Sequence, residues 1–495
     1  YLNYDGVDGT YVWDASPGYL SATGSQFRLQ TSMESVAEFR VNSGLAPAES
    51  GLGTGGNITV ISKSGSNMFN GSVFEYGRDD ALDTANRYDH IKQPLSLHQF
   101  GASLGGPLWK SHSFFFVRSE WLRQTTGLTF TEAVPSDAAR AEILATQPAL
   151  QPLVLGFPHG TAPTSNPLIA FATVNSTATQ REGAYAGRVD HKLTNSTTVY
   201  ARYFYSNGDV DTPDRTVTPR RVRATQQPQN VMINAQTVRA STVYEWKVGI
   251  NTPHTSAYAY GPTDYSPVGV SLSGAFTSSS IDARGTTGIA RSGLLIRGSS
   301  ATATMGSQFL PQSMSIAHTI THSGRAHTVK FGGEYRRLRG DFQYLGSTEI
   351  SYNSITDFMA NRVNTVAISK DSPVFSPRQF YVIGFAQDTW QPFSRVSVEF
   401  GTRYEFYSVV REALNRAKPF FIEENAFGSD PTKFYNPDYN NIAPRLSVSV
   451  QVSPTTVVRG GAGYFYGPGQ FEDRIQPIEN TIERLRVTAS DVPFL

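Results

Sequence analysis

Apolar and polar side chains alternate with a period of two along much of the chain. Residues 395–407 show this best, because one face carries Val396, Val398, Phe400, Thr402, Tyr404 and Phe406. The other face carries Ser397, Glu399, Gly401, Arg403, Glu405 and Tyr407. Successive side chains of a β-strand point to opposite faces, so the pattern predicts a strand with one apolar and one polar face.

The same alternation recurs along the chain and predicts about thirteen strands of roughly 8–14 residues. The predicted strands are residues 71–78, 98–108, 113–124, 183–193, 197–207, 230–239, 242–251, 308–320, 326–339, 379–390, 395–407, 441–451 and 455–466.

The connections between these strands alternate in length. Short turns at 109–112, 194–196, 321–325 and 391–394 contrast with long loops at 79–97, 125–182, 208–229, 252–307, 340–378 and 410–440. Short turns at one rim and long loops at the other are typical of an outer-membrane barrel. The predicted fold class is therefore all-β, an antiparallel transmembrane β-barrel. A soluble β-sandwich with one wet face is the alternative, but it does not account for the alternating loops.

The barrel prediction fixes the direction of each face. A membrane barrel turns apolar side chains toward lipid and polar ones toward the lumen. Charged side chains in the predicted strands are therefore expected to face the lumen; they are Lys330, Glu334, Glu399, Arg403, Glu405, Arg445 and Arg459. Tyrosines toward strand ends, such as Tyr203, Tyr335 and Tyr404, fit an interfacial aromatic girdle.

The composition excludes several classes of function and of binding site. The 495 residues include 42 basic and 41 acidic side chains, so the net charge of +1 argues against a nucleic-acid partner. The absence of cysteine excludes disulfides, thiolate metal sites and a cysteine nucleophile. No stretch approaches the ~18 consecutive apolar residues of a transmembrane helix. The first residue is Tyr1 and no signal peptide follows, so we expect a piece of a longer protein.

The first seventy residues carry compact motifs. Asn3–Gly9 reads NYDGVDG, and residues 35–41 read SVAEFRV. A glycine-rich strand then ends in SKSGSN at residues 62–67 and is followed by GSVFE at 71–75. This series resembles the end of the plug domain of TonB-dependent outer-membrane receptors, particularly their Oar-like group. On that resemblance the plug-motif residues are Asp5, Gly6, Asp8, Glu38, Arg40, Gly55, Gly56, Lys63 and Gly65.

The resemblance continues downstream in order. It includes QFGASLGGPL at residues 99–108, AQDTW at 386–390, GTRYE at 401–405, NIAPRL at 441–446 and VRGGAGYFY at 458–466. It implies the C-terminal part of a plug at 1–68, barrel strands with long extracellular loops at 69–466, and an extracellular loop at 467–495. The family barrel is expected to have 22 strands, so about thirteen cannot close it, and the first and last strands should each keep an unpaired edge. The family's signal peptide and TonB box are not found in the sequence.

The resemblance also implies a mechanism. A TonB-dependent transporter takes up a siderophore, glycan or peptide when an inner-membrane complex pulls on the plug, and it does no covalent chemistry. The charged lumen residues would either contact the plug or only satisfy one another. Two alternatives are an Oar-like export conduit or secretion partner, and a soluble β-rich carbohydrate-binding or hydrolytic protein. The implied partners are outer-membrane lipid, lipopolysaccharide, the TonB complex and an unknown ligand, and no cofactor is implied.

Other motifs give weaker predictions. Residues 51–56 match G-x-G-x-x-G, but a strand follows where a dinucleotide site needs a helix. His318, His322 and His327 lie on a strand–turn–strand and are expected at a rim, too far apart for one metal ion. The side-chain oxygens of Asn207, Asp209, Asp211 and Asp214 predict either a Ca²⁺ site or a solvated acidic loop. The arginines Arg215, Arg220, Arg221 and Arg223 predict either a lipopolysaccharide or ligand contact or a generic charged loop. We find no G-x-S-x-G, H-E-x-x-H or Walker A motif, so no enzyme activity is predicted.

Overall fold

A computed structural model gives the fold of the chain. It describes residues 2–8, 33–42, 46–51, 56–85, 87, 90–213, 221–260, 278–281, 294–297, 306–344, 347–352, 354–362, 365–369, 374–414, 416, 420–421, 423–430, 434–469 and 484–488.

The N-terminal residues form a small separate sheet. Its strands are β1 (Leu2–Tyr4), β2 (Val7–Asp8), β3 (Val36–Asn42) and β4 (Asn57–Ser62), in the order β2-β1-β4-β3. β1 runs parallel to β4, and the other pairs are antiparallel. A 3₁₀ turn at Met33–Ser35 leads into β3. This unit is called the N-terminal sheet below.

Thirteen long strands then follow as antiparallel neighbours in chain order within one barrel sheet. They are β5 (Asn70–Asp79), β6 (Leu95–Trp109), β7 (Ser113–Pro135), β9 (Ile169–Lys192), β10 (Thr197–Pro213), β11 (Arg221–Arg239), β12 (Thr242–Tyr260), β16 (Gln312–Ser323), β17 (His327–Arg339), β21 (Pro377–Phe393), β22 (Val396–Tyr407), β26 (Ile442–Ser453) and β27 (Thr456–Gly463). The predicted order of the long strands and the predicted fold class are therefore confirmed, and the barrel sheet also contains short strands from the long loops.

The first and last barrel strands differ from the others. β5 pairs with β6 and β27 pairs with β26, and no register joins β5 to β27 among the described residues. Every residue of β27 is exposed, and most of β5 is exposed as well. The strand order nevertheless closes the sheet into a barrel, with residues 484–488 standing between β27 and β5, so the predicted unpaired edges are not confirmed.

The predicted strand ends were wrong on the side of the long loops. β7 and β9 contain 23 and 24 residues, and they stay paired up to Pro135 and Ile169. β10 likewise continues to Pro213, and β11 begins at Arg221, so these two strands are also longer than predicted. These extensions are rich in threonine, which favours strands. Their apolar side chains, such as Val134 and Ile169, are buried against the loop helices rather than exposed to lipid, so the lipid-facing alternation ends there. The Thr131 and Thr173 hydroxyls, 3.0 Å apart, join the extended β7 and β9.

The long loops also contain short elements. The loop strands are β8 (Ala162–Pro163), β13 (Ser278–Ile281), β14 (Leu294–Arg297), β15 (Gly306–Phe309), β18 (Phe342–Tyr344), β19 (Ser347–Tyr352), β20 (Thr365–Ser369), β23 (Arg411–Glu412), β24 (Phe420–Phe421), β25 (Ala426–Phe427) and β28 (Arg484–Thr488). The helices are α1 (Asp137–Thr146), α2 (Gln151–Leu155) and α3 (Ile355–Met359), and 3₁₀ turns lie at Asp80–Leu82 and Pro148–Leu150. Since β28 pairs with β20, part of the C-terminal segment lies among the long loops.

An apolar cluster holds α1, α2 and α3 against the extended β7 and β9. Ile143, Leu150, Val154 and Phe358 are fully buried in it. Ser136 caps α1 by accepting a hydrogen bond from the Ala139 amide at 3.2 Å, and Ser354 caps α3 in the same way. The longest of these helices has ten residues, and within the described part of the chain no helix has the length and hydropathy needed to cross a bilayer.

We predict that a charge on the outward face of β26 disrupts assembly, whereas a charge on the inward face does not. Leu446 is 50% exposed on the outward face and pairs with Phe400 near the middle of the sheet. Leu446→Arg should reduce the folded fraction, because a lipid-facing arginine near the midplane costs ~2–4 kcal/mol. Heat-modifiable migration of the membrane-extracted protein on a denaturing gel measures that fraction.

The matched control is the adjacent residue on the opposite face. Ser447→Arg places the same charge toward the lumen and should assemble almost as well as the unaltered protein. Equal losses for the two variants would contradict the assignment of the faces, since a one-residue slip reverses every side chain.

Candidate functional site

The N-terminal sheet lies inside the barrel. Its residues contact inward side chains of β9 and β10 on one side and of β17, β21, β22 and β26 on another. The outward residues of these strands alternate with the contacting ones, as the predicted parity requires. The candidate functional site is the interface between this sheet and the barrel lumen.

The first group of contacts centres on Asp5. Asp5 and Gly6 form a tight turn with φ of 53° and 89°, and the Gly6 amide donates to the Asn3 side chain at 3.0 Å. In this left-handed region glycine carries no steric penalty. The turn directs the Asp5 carboxylate toward the barrel wall and back to β4. Its oxygens accept hydrogen bonds from the Ser62 amide at 2.9 Å and the Ser62 hydroxyl at 2.8 Å.

Arg202 of β10 neutralises the Asp5 carboxylate. Its Nε lies 2.7 Å from Asp5 Oδ2, and Nη2 donates to the Tyr4 carbonyl at 3.1 Å. Both side chains are almost completely buried, at 0% and 3% exposure. Removing one partner of such a pair leaves an uncompensated buried charge and is strongly destabilising. We name Asp5, Arg202 and Ser62 the Asp5 contact.

Neighbouring side chains extend this contact. Arg188 of β9 donates from Nη1 to the Ser62 carbonyl at 3.1 Å and the Ser62 hydroxyl at 2.8 Å. Tyr4 meets Phe204 edge-to-face with ring centroids 5.9 Å apart. Val60 and Ala186 complete a small buried apolar cluster. The interface here is therefore one ionic contact beside a few apolar side chains.

The second group of contacts holds residues 46–51. Arg445 Nη1 donates to the carbonyls of Ala46, Pro47 and Ser50 at 3.0, 2.6 and 2.6 Å. One guanidinium nitrogen therefore contacts three backbone oxygens, of which the Pro47 carbonyl also accepts from the Ser50 amide at 2.9 Å. Since Arg445 is 6% exposed, these bonds form away from bulk water.

Arg403 of β22 binds the same segment one strand away. Its Nη1 donates to the carbonyls of Ala48 and Glu49 at 3.2 and 3.1 Å, and its Nε binds Glu405. Glu405 is fully buried and also accepts from the Tyr407 hydroxyl at 2.7 Å. A Cβ on Gly401 would lie 3.0 Å from the Ala48 Cβ, so the segment lies directly against the strand.

Glu49 makes the third contact of this segment. Its carboxylate forms an ion pair with Lys330 of β17, and its amide donates to Gln387 of β21 at 3.0 Å. Lys330 and Gln387 are direct cross-strand partners. We name Lys330, Gln387, Arg403 and Arg445, together with residues 46–51, the arginine cradle.

Not every predicted lumen residue reaches the N-terminal sheet. Glu334 binds Arg336 on its own strand at 2.7 Å. Glu399 is partly buried on the same face as Arg403. Arg459 is exposed on β27 and pairs with Ser449, which puts it on the face of Arg445 without a contact to residues 46–51.

The plug-motif residues occupy varied positions. Glu38 and Arg40 form an exposed ion pair on β3, Lys63 Nζ lies 3.8 Å from Glu34, and Asp8 pairs with Asn3 across β1 and β2. Gly56 has φ of 125°, and Gly55 lies outside the described residues. A Cβ on Gly65 would meet the carbonyl oxygens of Phe115 and Gly106, so the chain passes too close to β6 and β7 there for any other residue.

Sequence reasoning missed Arg188, Arg202 and Gln387. All three lie at lumen positions of predicted strands, so parity alone would have placed them with Arg403. The signal for a special role would have been a charge flanked by apolar or aromatic residues, as in Tyr200–Phe204. The contacts themselves join residues far apart in the chain.

The residues predicted as possible calcium or metal ligands bond to neighbouring side chains or backbone groups. Asp209 and Asp211 lie on β10 rather than in a loop and form ion pairs with Arg223 and Arg221 at 2.7 and 2.6 Å. Asp214, Arg215 and Arg220 lie outside the described residues. The three histidines have separate hydrogen-bond partners. His318 bonds to the Glu245 carbonyl, His322 bonds to the Thr242 hydroxyl, and His327 bonds to the Asp388 carboxylate. Within the described residues no group of three or more potential ligands is close enough to share a metal ion.

A polar network organises the outer loop around Glu412. The carboxylate accepts from the amides of Ser376, Leu414 and Arg416 at 2.9, 2.8 and 2.8 Å, and from the Arg416 guanidinium at 2.8 Å. Burial by itself would raise the pKa of Glu412. These hydrogen bonds outweigh burial and hold the pKa of Glu412 below its ordinary value.

We predict that Asp5→Ala loosens the N-terminal sheet inside the barrel. The substitution leaves Arg202 buried without its counter-charge, which costs ~3–5 kcal/mol. Single-channel conductance in planar bilayers should rise, because a displaced sheet opens the lumen. Glu38→Ala, which breaks only an exposed ion pair worth ~0–1 kcal/mol, is the control. Identical conductance for the two variants would show that the Asp5 contact does not retain the sheet.

We predict that acid loosens the outer loop at Glu412. A depressed carboxyl pKa means that the stabilisation is present above the ordinary pKa of ~4.3 and is lost as pH falls through the lower folded-state pKa. Limited proteolysis by pepsin, measured as pH is lowered, should show cleavage near residues 408–416 rising over that range. Glu412→Gln should be cleaved at every pH; protection equal to that of the unaltered protein would contradict the prediction.

Comparisons with known proteins support the fold and the location. Residues 61–492 match the family model described as outer membrane beta barrel domain. The TonB-dependent transporter Oar of Myxococcus xanthus is 34% identical over 94 residues, which are 17% of this chain and 9% of that protein.

Solved structures resemble the whole chain at low identity. The ferripyoverdine receptor of the Pseudomonas aeruginosa outer membrane is 12% identical with a TM-score of 0.55, over 95% of this chain and 51% of that one. The outer membrane transporter YddB from Escherichia coli is 11% identical with a TM-score of 0.54, over 98% and 55%. The chain thus spans about half the length of these structures.

The predicted resemblance to TonB-dependent outer-membrane receptors is confirmed, and the soluble alternative is wrong. The similar proteins are transporters and receptors rather than enzymes. The matched domain covers most of the chain, and the location is the outer membrane. The chain belongs to the outer membrane β-barrel domain family.

Proposed function

We propose that this chain is part of a TonB-dependent transporter that takes up a ligand through a plugged barrel. The observation that carries the proposal is the way in which the N-terminal sheet is held in the lumen. Both the Asp5 contact and the arginine cradle are mainly hydrogen bonds and ion pairs. Such contacts can be exchanged for water, whereas a large apolar interface would resist displacement.

In this proposal the N-terminal sheet is the plug, residues 1–68, and the lumen residues are its reversible seat. Arg403 and Arg445 hold backbone carbonyls, so they fix the position of residues 46–51 without requiring particular side chains there. Lys330 adds a charge contact to Glu49. Glu405 keeps Arg403 oriented and neutralised. The seat therefore holds the plug while the pore is closed and re-forms after transport.

The proposed energy source is an inner-membrane TonB complex acting on the plug from the periplasmic side. The similar Oar protein is named a TonB-dependent transporter, and the similar ferripyoverdine receptor is described as bound to ferripyoverdine. For this chain the ligand class proposed is a siderophore, glycan or peptide that enters from the side of the long loops. No covalent chemistry is proposed for any lumen residue.

Energy-dependent labelling tests the proposal without knowledge of the ligand. The protein has no cysteine, so a single introduced thiol can be followed. Ala48 is 1% exposed within the arginine cradle. In living cells that produce the full-length protein, Ala48→Cys should react with a membrane-impermeant maleimide only while the plug is displaced. A proton uncoupler should therefore lower the labelling rate by about tenfold, the difference expected when an opening of ~1.4 kcal/mol is no longer driven.

The control is a thiol outside the lumen. Asp438→Cys lies on an exposed loop between β22 and β26 and should react equally with and without the uncoupler. Labelling of Ala48→Cys that is unaffected by the uncoupler, or by removal of TonB, would contradict energised movement of the plug.

A further inference from the structure

A continuous row of aromatic rings lies on the outward face of β6, β7, β9 and β10. Ring centroids are 5.5 Å apart between Phe100 and Trp121, 6.0 Å between Trp121 and Tyr185, 5.9 Å between Tyr185 and Tyr205, and 6.4 Å between Tyr205 and Tyr203. The Trp121 indole also donates to the Tyr185 hydroxyl at 3.1 Å. These residues alternate with inward ones such as Arg188 and Arg202, so they face away from the lumen. We name the five rings the aromatic row.

Two arginines lie directly above the aromatic row. Arg123 of β7 and Arg181 of β9 are exact cross-strand partners on the outward face, two residues beyond Trp121 and two before Gly183. Like charges directly opposite each other in a sheet are destabilising. Both side chains are exposed, which leaves them accessible to a ligand.

Nearby acidic groups do not neutralise this pair. Asp209 is the cross-strand partner of Arg181, but its carboxylate already binds Arg223 at 2.7 Å. Arg123 uses Nη1 for the carbonyls of Leu122 and Glu182, at 2.8 and 3.0 Å. Arg181 has no side-chain partner among the described residues, and neither arginine has an ion pair there. The pair therefore presents two positive charges and several free guanidinium donors.

A cavity of about 240 Å³ opens between the arginines and the aromatic row. Its aromatic side is lined by Trp121 and Tyr185. Its polar side is lined by Arg123, Arg181, Glu182, Asn207, Asp209, Thr225, Gln226 and Gln227. Gly183 keeps the cavity open, because a Cβ there would lie 2.6 Å from the Asn207 side-chain oxygen. Of the two carboxylates in this lining, Glu182 is buried and Asp209 is paired with Arg223, so the exposed and unpaired charges are those of the two arginines.

The height of the pair matches the outer membrane boundary. Arg123 lies ten residues beyond Ser113, where β7 leaves the short turn. At ~3.3 Å per residue and a tilt of ~35–45°, this is roughly 23–27 Å across the membrane, the height of the apolar band of a barrel. Below the cavity the outward side chains are apolar and exposed, including Leu104, Val117 and Val189. A molecule in the cavity therefore has its polar end at the headgroup level and continues along an apolar surface.

We propose that Arg123 and Arg181 bind a phosphate group of a phosphorylated glycolipid in the outer leaflet, whose sugar and acyl chains pack against the aromatic row. Arginine guanidinium groups match phosphate oxygens with two parallel hydrogen bonds each. An anion between the two arginines also removes their mutual repulsion. The exposed apolar surface beneath the cavity favours a lipid over a free phosphate ion.

Native mass spectrometry of the detergent-solubilised, membrane-assembled protein tests the site. The probes are lipid A with both phosphates, the same lipid with its phosphates removed, and inorganic phosphate. The unaltered protein should bind the phosphorylated lipid about tenfold more tightly than the dephosphorylated one, the effect expected from charge-assisted hydrogen bonds to phosphate. The double variant Arg123→Ala/Arg181→Ala should lose that preference.

Two further variants keep the test decisive. Arg239→Ala removes an exposed arginine at the short-turn end of β11, away from the cavity. This variant should still prefer the phosphorylated lipid over the dephosphorylated one. Arg123→Lys/Arg181→Lys retains the charge without the forked donors and should show an intermediate preference, even if the alanine variant fails to assemble. Undiminished preference in either double variant would overturn the site. Inorganic phosphate binding as tightly as the lipid would overturn the lipid as its occupant.

Discussion

The polarity of the lumen determines how anything inside this barrel is held. Because lipid faces one side of every strand, the apolar side chains point outward and the interior is left with charged and amide groups. A domain inside the lumen cannot be retained by a conventional apolar core. It must instead satisfy the lumen arginines, and those arginines must find partners away from bulk water.

The Asp5 contact and the arginine cradle provide different kinds of partner for the lumen arginines. Arg202 meets a carboxylate, Asp5, and the pair is sensitive to the loss of either charge. Arg403 and Arg445 meet backbone carbonyls, which every residue type provides, so their binding depends on the path of residues 46–51 rather than on their identity. Together they locate the N-terminal sheet from two sides of the barrel. The small cluster of Tyr4, Val60 and Phe204 adds apolar packing at only one of them.

Local pattern predicted the strands but not their partners. The alternation in residues 395–407 fixed β22 and its faces because one side must meet lipid. It failed in 125–135 and 169–182, where the strands leave the membrane and apolar side chains such as Val134 and Ile169 pack against the loop helices instead of facing lipid. Arg445 and Arg459 are equivalent by parity, yet only Arg445 meets residues 46–51. That difference depends on which strands face the N-terminal sheet, a property of tertiary structure that no local window contains.

The connection between the N-terminal sheet and β5 passes close against the barrel wall. At Gly65 the backbone lies against the carbonyls of Phe115 and Gly106, so a residue with a side chain would clash there with β6 and β7. If the proposed tension acts from the N-terminal side, it meets Asp5 before residues 46–51, which lie further along the chain. Load would therefore reach the Asp5–Arg202 pair first and the arginine cradle afterwards. Opening would proceed as an ordered sequence of two ruptures, with the cradle keeping the rest of the sheet in register for its return.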